Sequence, residues 1–222
     1  MTEKYNLIIF GASSELSRQI LKKNKLFKKI ILFSTKKIIN KSRNIMTYRV
    51  KNYDTIKIKK ILNKHINYKT RVIIFMGLND NKLFGTLKDK EIEMYLNINL
   101  IYHIKILNLL LINYSKFRIK IFLLSTTFTK IKSIGSPLYS SSKIFLENFV
   151  NKMSKYYNKL NVKLCIIRIG LIEGGLKKRI DKFNEKKLYK FQKNKIITKY
   201  KVLQKLLEII NEKNTKNIYK IY

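Results

Sequence analysis

The chain has 222 residues, 45% of them hydrophobic and 12% aromatic, which is enough apolar material for a substantial core and excludes an intrinsically disordered protein. Its formal net charge is +36, but it carries 42 Lys against 7 Arg, spread along the chain. That is the residue usage of an AT-rich genome at surface positions, and it argues against a specific nucleic-acid site, which would use arginine for bidentate contacts.

NLIIFG (6–11) is a short apolar run closed by Gly and reads as a buried strand. SSELSRQILKKNK follows, with Leu16, Ile20 and Leu21 at helical spacing and a serine at the cap. KKIILFST (28–35) is a second strand and NIMTYRV (44–50) a third. Asp54 to His65 repeats Ile56, Ile58, Ile61 and Leu62 and predicts a helix. RVIIFMG (71–77) is again an apolar run closed by Gly, and Glu91 to Tyr114 is one long helical pattern. FRIKIFLLST (117–126) is a strand, 139–158 a helix and NVKLCIIRIG (161–170) a strand. A basic stretch leads to helix 201–212 and a last strand, NIYKIY (217–222).

Strands alternate with helices from end to end, and the strands are continuous apolar runs, as strands covered on both faces require. The pattern predicts an α/β fold: one doubly wound parallel sheet with helices on both faces, in a single domain over 1–222. Cys165 sits among apolar neighbours as a small core residue, and a lone cysteine cannot form an internal disulfide. His65 and His103 lie far apart without Cys partners, so no metal site is expected. The opening MTEKYNLIIFG lacks the apolar region of a secretory leader, and ILNLLLI (106–112) is too short to span a bilayer. We therefore expect a cytoplasmic protein without membrane insertion.

In such sheets ligands bind beyond the carboxyl ends of the strands. After the first strand, GASSELS (11–17) offers a glycine, small residues and a helix start, the makings of a phosphate-binding turn; an ordinary strand-to-helix turn is the competing reading. Gly11 permits the tight turn, and Ser13 and Ser14 leave room and offer hydroxyls. After the second strand, Ser34, Thr35, Lys36 and Lys37 stand where a site for NAD would carry an acidic residue, and they suit the 2′-phosphate of NADP.

Tyr-x-x-x-Lys occurs three times, at Tyr53/Lys57, Tyr139/Lys143 and Tyr189/Lys193, so the motif alone decides nothing among 14 Tyr and 42 Lys. Context selects Tyr139. It opens a helix, its lysine lies one turn on along the same face, and Ser125 and Thr126 end the strand before it. An ammonium beside the phenol would favour tyrosinate and make Tyr139 a general acid in one direction and a base in the other. Asn99, in YLNINLI, reads either as a buried amide that orients the lysine through a water or as a surface asparagine.

In order and spacing the chain resembles the short-chain dehydrogenase/reductase family over nearly its whole length. GASSELS resembles the family's glycine turn, with Ser17 a departure from it. FMG (75–77) stands in the place of an Asn-Asn-Ala-Gly strand end, with Gly77 kept. Asn99 stands at the catalytic asparagine, Thr126 or Ser125 at the catalytic serine, and Tyr139 and Lys143 at the catalytic pair. RIGLIEGG (168–175) resembles a Pro-Gly stretch, with Ile169 for Pro and Gly174 where Thr is common.

The resemblance implies a Rossmann-like fold and hydride transfer between a nicotinamide cofactor, NADP before NAD, and a carbonyl carbon. Thr126 or Ser125 would polarise the oxygen, Tyr139 would deliver the proton, Lys143 would hold the cofactor ribose, and Asn99 would position Lys143. The cofactor would be bound by Gly11, Ser13, Ser14, Glu15 and Leu16, by Ser34, Thr35 and Lys36, and by Gly77, Tyr139, Lys143, Gly170 and Ile172. The resemblance further implies a homodimer or homotetramer paired through helices 91–114 and 139–158. The substrate would be a small molecule met by a flap over 171–200, such as a nucleotide sugar or an acyl thioester. The competing functions are a catalytically degenerate nucleotide-binding scaffold on the same fold, for which the eroded glycines speak, and a polyanion binder resting on charge alone.

Overall fold

The computed structural model of the chain describes residues 4–66, 69–78, 85–130, 136–157, 160–173, 196–212 and 216–222. The apolar runs become strands because both of their faces are covered. All five residues of β1 (Asn6–Phe10) are buried, as are five of the six in β2 (Lys29–Ser34). With β3 (Ile45–Arg49), β4 (Thr70–Ile74), β5 (Ile119–Thr126), β6 (Val162–Ile169) and β7 (Ile218–Ile221) they form one parallel sheet, in the order β3-β2-β1-β4-β5-β6-β7.

Alternation along each strand feeds two separate layers of core. Ile8, Phe10, Val72 and Ile121 pack against Ile58 and Leu62 of α2 (Thr55–Leu62), Ile106 and Leu110 of α4 (Tyr102–Tyr114) and Val150 of α5 (Pro137–Tyr157). On the other face Leu7, Ile9, Ile73 and Phe122 meet Ile20 of α1 (Glu15–Leu21) and Val202, Leu206 and Ile210 of α6 (Lys199–Asn211). The helices begin where the sequence supplies caps. Asp54 Oδ1 accepts from the amides of Ile56 and Lys57, Thr198 caps α6 and Pro137 is the first residue of α5.

The long helical pattern differs from its prediction in one respect. It runs as α3 (Asp89–Leu96), a π turn (Asn97–Ile101) and α4. A π turn rotates the residues after it, and such bulges are frequent at functional sites. The continuous Asp89–Tyr114 helix is long and apolar enough to cross a membrane, unlike the short run ILNLLLI taken alone. Here α4 buries Ile106, Leu107, Leu110 and Leu111 against the sheet.

Strand order reverses between β1 and β4, where the chain leaves β1 for β2 on one side and enters β4 on the other. The carboxyl ends of β1, β2, β4, β5 and β6 share one edge of the sheet, and the turns that follow them carry the residues singled out in the sequence.

Candidate active site at the carboxyl edge of the sheet

Gly11 stands at the reversal point with φ +76°, a backbone region that L side chains rarely adopt. A methyl there would lie 2.8 Å from Met76 N and 2.9 Å from Phe75 C, so the turn after β1 packs directly on the segment after β4. Gly11→Ala is therefore expected to cost more than the roughly 1–2 kcal/mol of the left-handed backbone, because the clash is with backbone that cannot swing away. Urea unfolding would measure it. Gly77→Ala is the matched control, since a methyl there meets nothing closer than 3.7 Å.

Ser13 is exposed, but the Ser14 hydroxyl caps α1 by accepting from Ser17 N at 3.1 Å. Glu15 pairs with Lys199 of α6 at 2.5 Å, and Leu16 packs on the core. Ser17, in the place of a family glycine, is fully buried with its hydroxyl unpartnered.

The centre of the site is Gly77, exposed at the end of the segment after β4. A methyl on it would lie 3.7 Å from Tyr139 Cε2, 3.8 Å from Asn99 Oδ1 and 3.8 Å from Lys143 Nζ. Two elements thus bring three side chains to one open glycine: α5 supplies Tyr139 and Lys143, and the π turn supplies Asn99. The surface reading of Asn99 is excluded, since it is 0% exposed. Its amide does not reach Lys143 by a hydrogen bond of its own. Instead Nδ2 donates to the Leu78 carbonyl at 2.7 Å and Oδ1 accepts from the Leu78 amide at 2.8 Å. Asn99 thereby clamps the strand exit whose Met76 carbonyl accepts from Lys143 Nζ at 3.1 Å. The ammonium lies 5.8 Å from the centre of the Tyr139 ring.

Burial lowers the Lys143 pKa from 10.5 to about 7. Between those values the unfolded chain holds a proton that the folded chain has released, so stability rises with pH across that window. Below about pH 7 the folded state bears the whole cost of a buried ammonium. Lys143→Met is accordingly expected to stabilise the fold at pH 7 and below, with the gain shrinking to nothing as pH approaches 10.5. Urea midpoints of the two proteins at several pH values would check it.

The two candidate hydroxyls on β5 have different surroundings. Ser125 donates to Glu147 Oε1 at 2.6 Å. Glu147, one turn beyond Lys143 on α5, also accepts from Thr129 at 3.3 Å and holds Arg168 of β6 through Nε at 2.8 Å and a second guanidinium nitrogen at 2.5 Å. All of Ser125, Glu147 and Arg168 are buried. The Ser125 proton is committed to this cluster. Thr126, next in the strand and so on the opposite side of the pleat, is buried at the strand end.

At the end of β2, Ser34 Oγ accepts from the Lys36 amide, and Thr35, Lys36 and Lys37 are exposed. Arg49, opposite Ser34 in the register of β2 and β3, donates from Nε to the Thr35 carbonyl at 3.2 Å. After β6, Gly170 N donates to Ile221 O, and Ile172 bridges to Ile197. Those contacts fix the two ends of the 171–200 stretch side by side; Gly174 and the rest through 195, with Tyr189 and Lys193, lie outside the described residues.

Several neighbours of the site escaped the sequence reading. Tyr53 sits with Asn52 in left-handed backbone, and its phenol oxygen accepts from Gly11 N at 3.0 Å. Burial raises its pKa to about 12. Arg49, Glu147 and Arg168 were also missed, though a charge inside an apolar run such as LCIIRIG is a signal that a buried partner exists. Among the described residues no group of three His, Cys, Asp or Glu could hold a metal.

The sequence model of the short chain dehydrogenase family matches residues 35–185. No curated protein matches the chain in sequence. Solved structures share its fold. ElxO with NADP bound is 18% identical, with 99% of this chain and 97% of that one covered at a TM-score of 0.79. A short chain dehydrogenase from Leptospira borgpetersenii with bound NAD+ is 13% identical, with 99% and 91% covered and a TM-score of 0.81. 4-Hydroxyisoleucine dehydrogenase complexed with NADH is 16% identical, with 98% and 97% covered and a TM-score of 0.79. A parallel sheet in Rossmann order, a left-handed glycine at its reversal point and a family match over well more than half the chain lead to one conclusion: this protein belongs to the short-chain dehydrogenase family of NAD(P)-dependent oxidoreductases.

Proposed function

We propose that the chain is an NADP-dependent oxidoreductase in which Tyr139 moves the proton that accompanies hydride transfer at a carbonyl or hydroxyl carbon. The observation that carries this reading is the convergence of Tyr139, Lys143 and Asn99 on exposed Gly77. The residues fit a dinucleotide. Gly11 keeps the first turn free of a Cβ, and Gly77 leaves an uncovered place above Lys143 and Tyr139. When bound, the nicotinamide supplies the hydride.

Thr126 or Ser125, at the end of β5, polarises the carbonyl oxygen. Tyr139 then protonates that oxygen in reduction and takes the proton back in oxidation. Lys143 holds the ribose and, when charged, favours the ionised phenol. Asn99 acts through the backbone it clamps, keeping the Met76 carbonyl where Lys143 can donate to it. Preference for the 2′-phosphate rests on the absence of an acid after β2 and on exposed Lys36, Lys37 and Arg49 around Thr35. The basic sequence of 174–195 suits an anionic substrate such as a nucleotide sugar or an acyl thioester. Pairing of copies through α4 and α5 is supported by exposed Ile101, Ile112, Ile144 and Phe145 on those helices and the turn before them.

Titration with NADPH and NADH at low and high salt, followed by nicotinamide fluorescence, tests the cofactor reading. We expect saturable NADPH binding that exceeds NADH binding and survives salt, and a drop toward the NADH affinity in Arg49→Gln. Binding to neither nucleotide, or binding abolished by salt, would replace the reading with nonspecific attraction of phosphates by a lysine-rich surface.

A further inference from the structure

Asn52 and Tyr53, between β3 and α2, are the only non-glycine residues with positive φ among the described residues, at 50° and 48°. Asp54 N donates to Lys51 O at 3.2 Å and closes a tight turn around them. A turn with two positive φ values is the form that Asn-Gly adopts readily. Asn52 suits its place, but Tyr53 stands where glycine is favoured. A bulky side chain there strains the backbone, and such strain persists where the surrounding structure holds the residue in position.

Three contacts hold Tyr53. The residue is 5% exposed, and its ring packs on Phe10 of β1, with centroids 6.4 Å apart, and on Tyr102 of α4 at 5.3 Å. Its phenol oxygen accepts from Gly11 N at 3.0 Å. Gly11 N also reaches the Phe33 carbonyl at 3.1 Å, but Ala12 N donates to that same carbonyl at 3.1 Å. The phenol is therefore the acceptor that Gly11 does not share. Phenylalanine would serve the ring packing equally well, and only a hydroxyl reaches the turn. Burial pushes the Tyr53 pKa up to about 12, so the phenol stays neutral at working pH and costs little to bury while it is bonded.

We propose that Tyr53 is a positioning residue for the dinucleotide: through the Gly11 amide it fixes the turn after β1 in the shape that receives the pyrophosphate. The inference rests on the reading of 11–17 as the phosphate-binding turn. That turn opens on Gly11 at φ +76°, the residue type with the most backbone freedom to lose. Ser14 holds its far end by capping α1, where its hydroxyl accepts from Ser17 N. Tyr53 holds its near end, so the turn is ordered before the nucleotide arrives and binding does not have to order it.

Tyr53→Phe removes the hydroxyl and leaves the ring. We expect NADPH to bind this variant about three- to tenfold more weakly, the worth of one neutral hydrogen bond, with kcat unchanged. Tyr48→Phe is the matched control, since it removes a hydroxyl that meets His65 Nε2 at 3.1 Å, and it should leave the NADPH affinity where it was. A hydroxyl that served stability alone would lower the melting temperature and leave the affinity in place. The free protein gives a second readout. Glycine labelled with 15N after phenylalanine labelled with 13C at the carbonyl leaves two amide signals, Gly11 after Phe10 and Gly85 after Phe84. Gly85→Ala tells them apart, because a methyl there meets nothing within 4 Å. The Gly11 amide proton should move upfield and exchange faster in Tyr53→Phe, while Gly85 stays. Unchanged NADPH affinity in a folded Tyr53→Phe, or a Gly11 amide that does not respond, overturns the proposal. A wild type that binds neither nucleotide sinks the cofactor reading instead, and the Gly11 amide then decides the Tyr53 contact by itself. If Tyr53→Phe does not fold, the nuclear Overhauser contact between the Gly11 amide and the Tyr53 ring protons of the wild type decides: its presence supports the proposal and its absence overturns it.

Discussion

Tyr139→Phe is expected to lower kcat by about 100- to 10,000-fold, the usual worth of a general acid or base. The fold and the nucleotide affinity should survive. Tyr139 is 6% exposed and its ring packs beside Gly77, so phenylalanine keeps the packing and removes only the hydroxyl. Steady-state rates on a panel of carbonyl substrates, with thermal unfolding and NADPH titration of the same variant, separate the outcomes. A loss of rate with unchanged binding and melting supports proton transfer by Tyr139. A variant as fast as the wild type removes Tyr139 from the chemistry. Lys143→Met is a different kind of change, since it takes away a buried charge and is expected to stabilise the fold near neutral pH while it costs activity.

The second large effect concerns stability. Glu147→Ala is expected to destabilise the protein by about 3–5 kcal/mol, because it leaves the Arg168 guanidinium buried without its carboxylate. For a chain of this size that corresponds to a melting temperature lower by roughly 6–20 °C. Ser125 loses its acceptor in the same step, whereas Thr129 keeps the Thr126 carbonyl at 2.9 Å. Replacing both charges, Glu147→Leu with Arg168→Met, should recover most of the loss, since a buried ion pair is often matched by well-packed apolar side chains. If the single variant melts with the wild type, the cluster is not what ties α5 to β5 and β6. If the double variant melts as low as the single one, packing and not the unpaired charge is responsible.

Much of the fold was legible because parallel strands covered on both faces must be continuous apolar runs. NLIIF and KIILFS became central strands within a residue of the expected bounds, and TRVII became a third that ends at Ile74, three residues before the Gly77 that closes the apolar run. The weaker run IMTYR became an edge strand, with a half-exposed burial pattern that explains its fainter signal. The long helix was legible as a helix, but not its π turn. Periodicity over 91–114 carries no mark of one extra residue, and only contact with Leu78 shows why Asn99 must turn inward.

What the sequence by itself determined is the order of elements, the glycines at two strand ends and the spacing of Tyr139 and Lys143, because these depend on local pattern and helical repeat. The tertiary structure alone decided which groups meet. It joined Ser125 to Glu147 and Arg168, 22 and 43 positions further along the chain, and so separated its surroundings from those of Thr126. It set Arg49 beside Thr35 across a strand pair and Tyr53 on Gly11. Burial sets the proton affinity of Lys143, and burial belongs to the packed core, not to any stretch of residues read in line.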